Sequence, residues 1–532
     1  MNQVERKKRQ VEFASYVLGA ISLMIIGNFL GDNGIAYFAA AYESFQLLAI
    51  LLTYRLEDTL AKLLKNRTGK GQYKNAQKLR KNVVVLGLIF GAAGSLALFA
   101  GAGVLGETVL GLGHSVAMIR ILAPILFFRT LVTIMLGFFQ GEGTELPAVI
   151  SYVMRQICIL LFAILLVKFC GNYGDKVSAL LREENFAAMY RGMGYAAAML
   201  LAEILVFLFL AFVYQGSRGR AKKGVTEGMR GQEAFTTQVA AVASNTFPLT
   251  LVALLGHLPV WLGFFFFRKS LEQTADVEQY GVFYGKFLPV VAILVLIACI
   301  ALMHNSYKIA AVVRKDEQKI AKNQFDGGFH FAFVYGLFFA MYLAVMASPV
   351  AELSGAVNHE LAVKLFQTGS LLIPGLILGW YFSECLLFSN KRYLVVGTAA
   401  LKSAVFLVLT IVLLRNGAGV LALICGEVIA VVIYASVNGV ILFRQLRVSI
   451  DLVREIAIPL GTVCVTGLLL WGFGRLLAPH LGSVLAVVLS LVLGFGLQIT
   501  VLVAVRDFKE QELNYIPGGK FLRAIGQTFR IY

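Results

Sequence analysis

Long apolar runs, each close to the length a helix needs to cross a bilayer, recur from one end of the chain to the other. Gly, Pro and clusters of charge separate them. They place helices near 12–31, 35–60, 82–104, 117–139, 146–169 and 190–214, then near 236–265, 283–311, 329–350, 362–388, 393–414 and 418–443, and finally near 455–477 and 482–505. Backbone polar groups inside hydrocarbon must be satisfied internally, and a helix does this within its own segment. The expected fold is therefore an all-α polytopic membrane protein of about fourteen transmembrane helices.

Composition agrees, because 58% hydrophobic and 14% charged residues over 532 positions exclude a water-soluble globule. The first apolar run follows Arg6, Lys7, Lys8 and Arg9, as a signal peptide would. It is too long for one, lacks a small-residue cleavage site, and is followed after residues 31–34 by the next apolar run, so it reads as the first helix of a hairpin. The six cysteines (Cys158, Cys170, Cys299, Cys385, Cys425, Cys464) fall in or beside apolar runs with no CxxC pair and no close histidine. That pattern supports neither a disulfide framework nor a zinc site. A net charge of +17 would point to nucleic acid in a soluble protein, but here it poses the question of which membrane face holds it. Lys and Arg crowd into residues 6–9, 62–81, 218–230, 314–322, 391–392 and 444–454 and the C-terminal tail, whereas the alternate connections hold Lys176, Arg182, Arg268, Lys269 and Arg415. The positive-inside rule then puts both termini in the cytoplasm, and orientation with lipid headgroup contact accounts for the basic loops without nucleic acid.

An internal repeat organises the spans. PILFFRTLVTIMLGFFQGEG, from Pro124, aligns without gaps with PGLILGWYFSECLLFSNKRY, from Pro374, setting Phe138 over Phe388 and Gln140 over Asn390. A nearly equal offset sets the basic end of the second helix (60–67) over that of the eighth (309–317). Six helices separate the copies, so both have one orientation and are related by an axis along the membrane normal. The expected organisation is an N-lobe with a cytoplasmic linker (1–231), a C-lobe (232–449), and two extra helices with a tail (450–532). The two pseudo-symmetric six-helix lobes would enclose a central cavity, with a substrate site near mid-membrane.

Three stretches carry a resemblance: GKGQYKNAQKLRK (69–81), GFFQGEGTELPAVISYVMRQI (137–157) and EQELNYIPGGKFLRAI (510–525). Together they resemble the polysaccharide transporter branch of the multidrug, oligosaccharidyl-lipid and polysaccharide (MOP) flippase and exporter superfamily. The stage V sporulation protein B type is nearest, and lipid II flippases are more distant. The resemblance runs through nearly the whole chain in order. It implies two V-shaped lobes plus two helices, and export of undecaprenyl-linked saccharides across the bacterial cytoplasmic membrane by alternating access. Relatives commonly carry an arginine late in the first helix, where this chain has Asn28, and a neutral stretch late in the second, where it has TYRLEDTLAK.

Charges inside the spans cost about 2.5 to 3.5 kcal/mol each on insertion scales, so function is the default reading for them. Arg129 in the fourth span and Arg155 in the fifth are candidate substrate-binding residues, since a guanidinium grips a pyrophosphate by paired hydrogen bonds. Their alternative reading is a structural ion pair with Glu203 of the sixth span. Arg55, with Glu57 and Asp58 at the inner end of the second span, forms a candidate headgroup contact and inward gate, with His304 of the eighth span as counterpart. The alternative is simple solvation in the interface. In the second half, Lys402 is flanked by Glu384 and Glu427, which reads first as a structural bridge. A carboxylate left unpaired there would couple transport to a proton gradient. Pro248 and Pro259 flank His257 and suggest a bend in the seventh span, Lys286 reads as a snorkelling lysine, and Asp32 as a turn residue.

No phosphate-binding loop, HExxH or nucleophile elbow is present in the sequence, which argues against an ATPase or other enzyme and leaves a secondary carrier. The expected substrate is a lipid-linked saccharide, with membrane lipids and glycosyltransferase or cell-wall assembly proteins as partners. No cofactor, metal or nucleic acid is expected, and the chain is expected to be a monomer. Two alternatives stand beside this reading: a multidrug or organic-cation antiporter of the same fold, and a non-transporting scaffold in a polysaccharide assembly complex. The first would favour acids in the first lobe; the second would show no transport.

Overall fold

The computed structural model describes residues 3–183, 185–221, 233–270, 277–313, 318–389, 391–446, 453–476, 480, 482–505, 513 and 518–528. Every regular element among them is helical. Two compact units divide the chain, residues 2–281 and 282–532.

The first unit contains α1 (Gln3–Thr53), α2 (Leu56–Gly69), α3 (Tyr73–Gly103), α4 (Val116–Gly141), α5 (Leu146–Leu181), α6 (Asn185–Ala221) and α7 (Phe235–Ser270). At 51 residues, α1 would be about 77 Å long if straight, more than twice the hydrocarbon thickness. It is not straight. Gly31 breaks it with φ 70 and ψ 163, a backbone region open essentially to glycine alone. Lys8 Nζ then lies 2.8 Å from Glu57 Oε1, a contact that requires the chain to reverse midway. The hairpin expected from the sequence is therefore present, with its turn compressed into the break at Gly31.

The second arm of α1 ends at Thr53, earlier than the expected helix over 35–60. Arg55 adopts a left-handed conformation (φ 56, ψ 9) and α2 starts afresh behind it. Residues 62–69, part of the expected basic loop, are helical because Leu60, Leu63 and Leu64 bury themselves against Ala76, Leu79 and Val83 of α3 and Ile134 and Phe138 of α4. Charged residues on the other face of α2 masked this stripe. Farther along, Val132, Leu136 and Phe139 of α4, Ala148 and Tyr152 of α5, and Val206 and Leu210 of α6 form one core cluster. It fixes the three helices that carry the intramembrane charges. Helix α7 also packs within this unit: Trp261 Nε1 donates to Ser44 Oγ at 2.9 Å, and Thr250 Oγ1 approaches the Tyr54 carbonyl at 3.5 Å. The first unit thus includes a helix that the sequence reading places at the start of its second lobe.

The boundary between the units falls in α8 (Val277–Val282), and the second unit continues with α9 (Leu288–Val313), α10 (Gln318–Val345), α11 (Ala347–Leu353), α12 (His359–Gly369), α13 (Leu372–Phe388), α14 (Arg392–Arg415), α15 (Leu421–Leu446), α16 (Ile458–Leu476), α17 (Ser483–Ala504) and α18 (Gly519–Thr528). Phe329 of α10 stacks with Phe382 of α13, Phe325 meets the same ring at a tilt, and both meet Phe443 of α15 edge-on. The last two long helices join through Thr466 Oγ1, which donates to Gln498 Oε1 at 2.8 Å. Tyr342 of α10 holds α17 by donating to the Val487 carbonyl at 2.9 Å.

Among the described residues, 12 helices are long and apolar enough to cross a membrane, and the pair His359–Gly369 and Leu372–Leu387, bent by 43°, adds one broken span. The longest of the 12, Arg6–Gly69, contains both arms of the hairpin. The all-α polytopic class is thus observed, and counting the arms separately brings the crossings to about fourteen. The bent pair occupies the place of the expected helix over 362–388. Lys286 is not at a water-facing end but 2% exposed among Phe283, Tyr284 and Phe287, so it does not snorkel.

Candidate functional site

Each of the three central helices of the first unit brings one charge to a single point. Arg129 lies about 20 Å into α4, and its Nη2 donates to Glu203 Oε2 of α6 at 3.5 Å. From α5, Arg155 Nη2 donates to Glu203 Oε1 at 3.1 Å while its Nε lies 3.0 Å from Oε2. Glu203 is 1% exposed, whereas each arginine side chain keeps 17% exposure. The Arg129 guanidinium also stands 5.1 Å from the Phe45 ring centroid, over the second arm of α1. Two cations therefore share one anion, and the cluster carries one positive charge in excess. A guanidinium that keeps accessible N–H groups beside a desolvated carboxylate is suited to accept an anionic group. The pairing with Glu203 that the sequence suggested is observed, and it engages both arginines together.

A second cluster gathers at the end of the unit that carries the N-terminus. Glu57 Oε1 accepts from Lys8 Nζ at 2.8 Å, from Tyr152 OH at 2.5 Å and from Gln140 Nε2. Asp58 accepts from Lys8 at 3.5 Å, Arg9 at 3.2 Å and Arg55 at 3.1 Å. The expected Arg55 and Asp58 contact, three positions apart, is thus formed. The cationic partner of Glu57 is Lys8, which the sequence reading counted with the basic, orienting N-terminal stretch. These contacts tie α1, α2, α4 and α5 of the first unit to one another. His304 lies on α9 of the second unit, half-buried.

In the second unit, Lys402 Nζ of α14 bonds Glu427 Oε1 of α15 at 2.5 Å. Glu384 is buried on α13, one position before Cys385. Within the trio, the structure thus forms the Lys402 and Glu427 bridge. No group of three or more His, Cys, Asp or Glu among the described residues is arranged to hold a metal ion, and the cysteines are free thiols.

Glu43 is a residue that sequence reasoning missed. It is buried on the second arm of α1, and its Oε2 lies 3.8 Å from His257 Nε2 of α7. The signal was available: it is the sole acid between Asp32 and Glu57 in a run otherwise apolar enough to span the membrane.

The fold built from these elements is that of MOP superfamily transporters. It superposes on a lipid II flippase MurJ in an inward closed conformation with a TM-score of 0.67 at 13% identity, covering 94% of this chain and 99% of that one. A multidrug resistance MATE family transporter of the MOP superfamily, inward-facing, gives 0.61 at 14% identity over 81% and 95%. By sequence, the chain's homologues include Stage V sporulation protein B of Bacillus subtilis, 22% identical over 275 residues, and the lipid II flippase MurJ of the same organism, 25% identical over 158 residues. The first match takes in 50% of this chain and 49% of the relative, the second 28% and 29%, so the aligned stretches span half or less of those relatives. No family model matches.

Proposed function

We propose that the chain is a flippase that moves a polyprenyl-pyrophosphate-linked saccharide across a bacterial cytoplasmic membrane, as a secondary carrier working by alternating access. In this reading both termini are cytoplasmic and the chain performs no covalent chemistry. The observation that carries it is the excess positive charge at Arg129, Arg155 and Glu203. A pyrophosphate is a compact anion, and a guanidinium pair held by one carboxylate offers it donors without leaving a bare charge in hydrocarbon. The name of one relative, the lipid II flippase MurJ, agrees with a lipid-linked substrate.

The same charge argues against an organic-cation antiporter, whose cargo the arginines would repel. The Lys8, Arg55, Glu57 and Asp58 network acts as the clamp that holds the inner ends of the helices while substrate is bound. Glu384, Lys402 and Glu427 keep a structural role.

Translocation of a fluorescent lipid-linked saccharide in vesicles reconstituted with the full chain tests the reading. The wild type should translocate, and Arg129→Ala should lower the rate by at least about tenfold, since a charge-assisted bond contributes roughly 1.5–3 kcal/mol. An unchanged rate in Arg129→Ala would remove the pyrophosphate role. Absence of translocation by folded wild type would favour a scaffold.

A further inference from the structure

The first arm of α1 presents two unlike faces. Leu18, Ile21, Ile25 and Phe29 are large, exposed apolar side chains, the stripe that a crossing helix turns to lipid. With 3.6 residues per turn, Tyr16 stands about 140–220° around the helix from them. Its own side is shared with Ile26, Gly27 and Leu30, all buried. Tyr16 nevertheless keeps 47% exposure. A side chain that stays open on the packed side of its helix lines a space inside the first unit.

Its neighbours give that space a chemistry. Tyr16 OH donates to Glu12 Oε1 at 3.0 Å, which fixes the ring and leaves the carboxylate with further lone pairs. Phe13 meets the ring at a tilt, with centroids 5.9 Å apart. One turn on, Gly19 carries no side chain, and Gln156 of α5 reaches into the room this leaves: a Cβ at Gly19 would lie 3.0 Å from Gln156 Oε1. Gln156 follows Arg155 in sequence, and Tyr16 is within Coulomb reach of that arginine. An aromatic ring, a carboxylate and a carboxamide thus adjoin a guanidinium of the headgroup site.

We propose that Tyr16, with Glu12 and Gln156, forms the subsite for the first sugar of the lipid-linked substrate. A pyranose has an apolar face of C–H groups and a rim of hydroxyls, so it is matched by a flat apolar surface with hydrogen-bonding groups at its edge. Tyr16 supplies the surface. Glu12 accepts from hydroxyls, and the Gln156 carboxamide both donates and accepts. The first sugar is bonded directly to the distal phosphorus of the pyrophosphate, so its subsite has to adjoin the groups that hold the phosphate oxygens. Tyr16 meets that requirement at Arg155. The arginines alone hold any polyprenyl pyrophosphate equally, including the bare carrier left after a sugar has been transferred. Contact with the sugar is what separates loaded carrier from empty carrier. This inference rests on the reading of Arg129 and Arg155 as the pyrophosphate site.

Equilibrium binding to the purified full-length chain tests it with three probes: a polyprenol, the matching polyprenyl pyrophosphate, and the same pyrophosphate carrying one N-acetylglucosamine. The wild type should bind the sugar-bearing lipid at least about fivefold more tightly than the bare pyrophosphate, the scale of one aromatic contact. Tyr16→Ala should erase that difference, and so should Tyr16→Leu, which refills the volume without a flat ring. Tyr16→Phe should keep most of it, and Ile25→Ala, on the lipid-facing stripe, should match the wild type. Each comparison sets two ligands against one protein, so a general loss of fold does not imitate the expected result.

Equal wild-type affinity for the two pyrophosphates, or a preference undiminished in both Tyr16→Ala and Tyr16→Leu, overturns the subsite. A preference for the bare pyrophosphate over the polyprenol in that case leaves the headgroup reading standing. A Tyr16-dependent preference for the sugar-bearing lipid, without any preference for the bare pyrophosphate over the polyprenol, would retain the sugar contact and reject the pyrophosphate site.

Discussion

Replacing Glu203 with Gln removes the anion that two arginines share. Both guanidinium groups place a nitrogen within 3.5 Å of one carboxylate oxygen, so the variant would leave two cations about 6 Å apart. At an effective dielectric of about 20 they repel by roughly 3 kcal/mol. The Gln carbonyl can still accept one hydrogen bond, and the residual 17% exposure of each arginine lets water screen part of the repulsion. Breaking a buried pair typically costs about 3–5 kcal/mol, and this screening sets the expected loss near 3 kcal/mol. Arg155→Ala is the informative contrast. It leaves Arg129 and Glu203 as a neutral pair and should cost about 1–2 kcal/mol. Reversible unfolding in mixed micelles, followed by tryptophan fluorescence, measures both. Stability of Glu203→Gln within about 0.5 kcal/mol of wild type, or a larger loss for Arg155→Ala, would refute the shared-anion reasoning.

Three further outcomes follow from the packing. Gly31→Ala forces a Cβ into a backbone conformation with φ 70 and should cost about 1–3 kcal/mol, seen as a lower yield of monodisperse protein; an unchanged yield would mean that another residue makes the turn. A Cβ at Gly137 would lie 2.9 Å from Leu60 Cβ and 3.0 Å from the Glu57 carbonyl, whereas one at Gly101 meets nothing within 4 Å. Gly137→Val should therefore destabilise by about 1–3 kcal/mol while Gly101→Ala is neutral or stabilising, and equal melting temperatures would contradict the α2 and α4 contact. A double-mutant cycle of Lys402→Ala and Glu427→Ala should give a coupling of about 0.5–3 kcal/mol; zero coupling would dissolve the bridge seen at 2.5 Å.

The spans were legible because about twenty apolar residues leave few alternatives to a crossing helix. The first hairpin was legible because residues 31–34 are too few for anything but a tight turn. Segments where one helix face is charged and the other apolar were not: residues 56–69 looked like a helix end and a loop, since charges dilute the hydrophobic signal that Leu60, Leu63 and Leu64 supply. The break at Arg55 was hidden too, because arginine is not a residue whose presence announces a left-handed backbone. At the site, Glu203 was named as a partner from its depth alone, but its sharing by both arginines depends on the rotation of three helices about their axes. Lys8 was counted with the basic flank, and its burial against Glu57 reflects the tertiary fold. Glu43 escaped because a single acid does not end an apolar run, although its cost in hydrocarbon marked it as a residue needing a partner.

The most direct test of the excess charge at Glu203 is the affinity of the purified chain for a polyprenyl pyrophosphate, set against the matched uncharged polyprenol, in wild type and Arg155→Ala. The pyrophosphate should bind the wild type at least about tenfold more tightly than the polyprenol, a difference of roughly 1.4 kcal/mol, and Arg155→Ala should erase that preference while leaving polyprenol binding intact. Equal preference for the pyrophosphate in both proteins would contradict a headgroup site built on the shared anion.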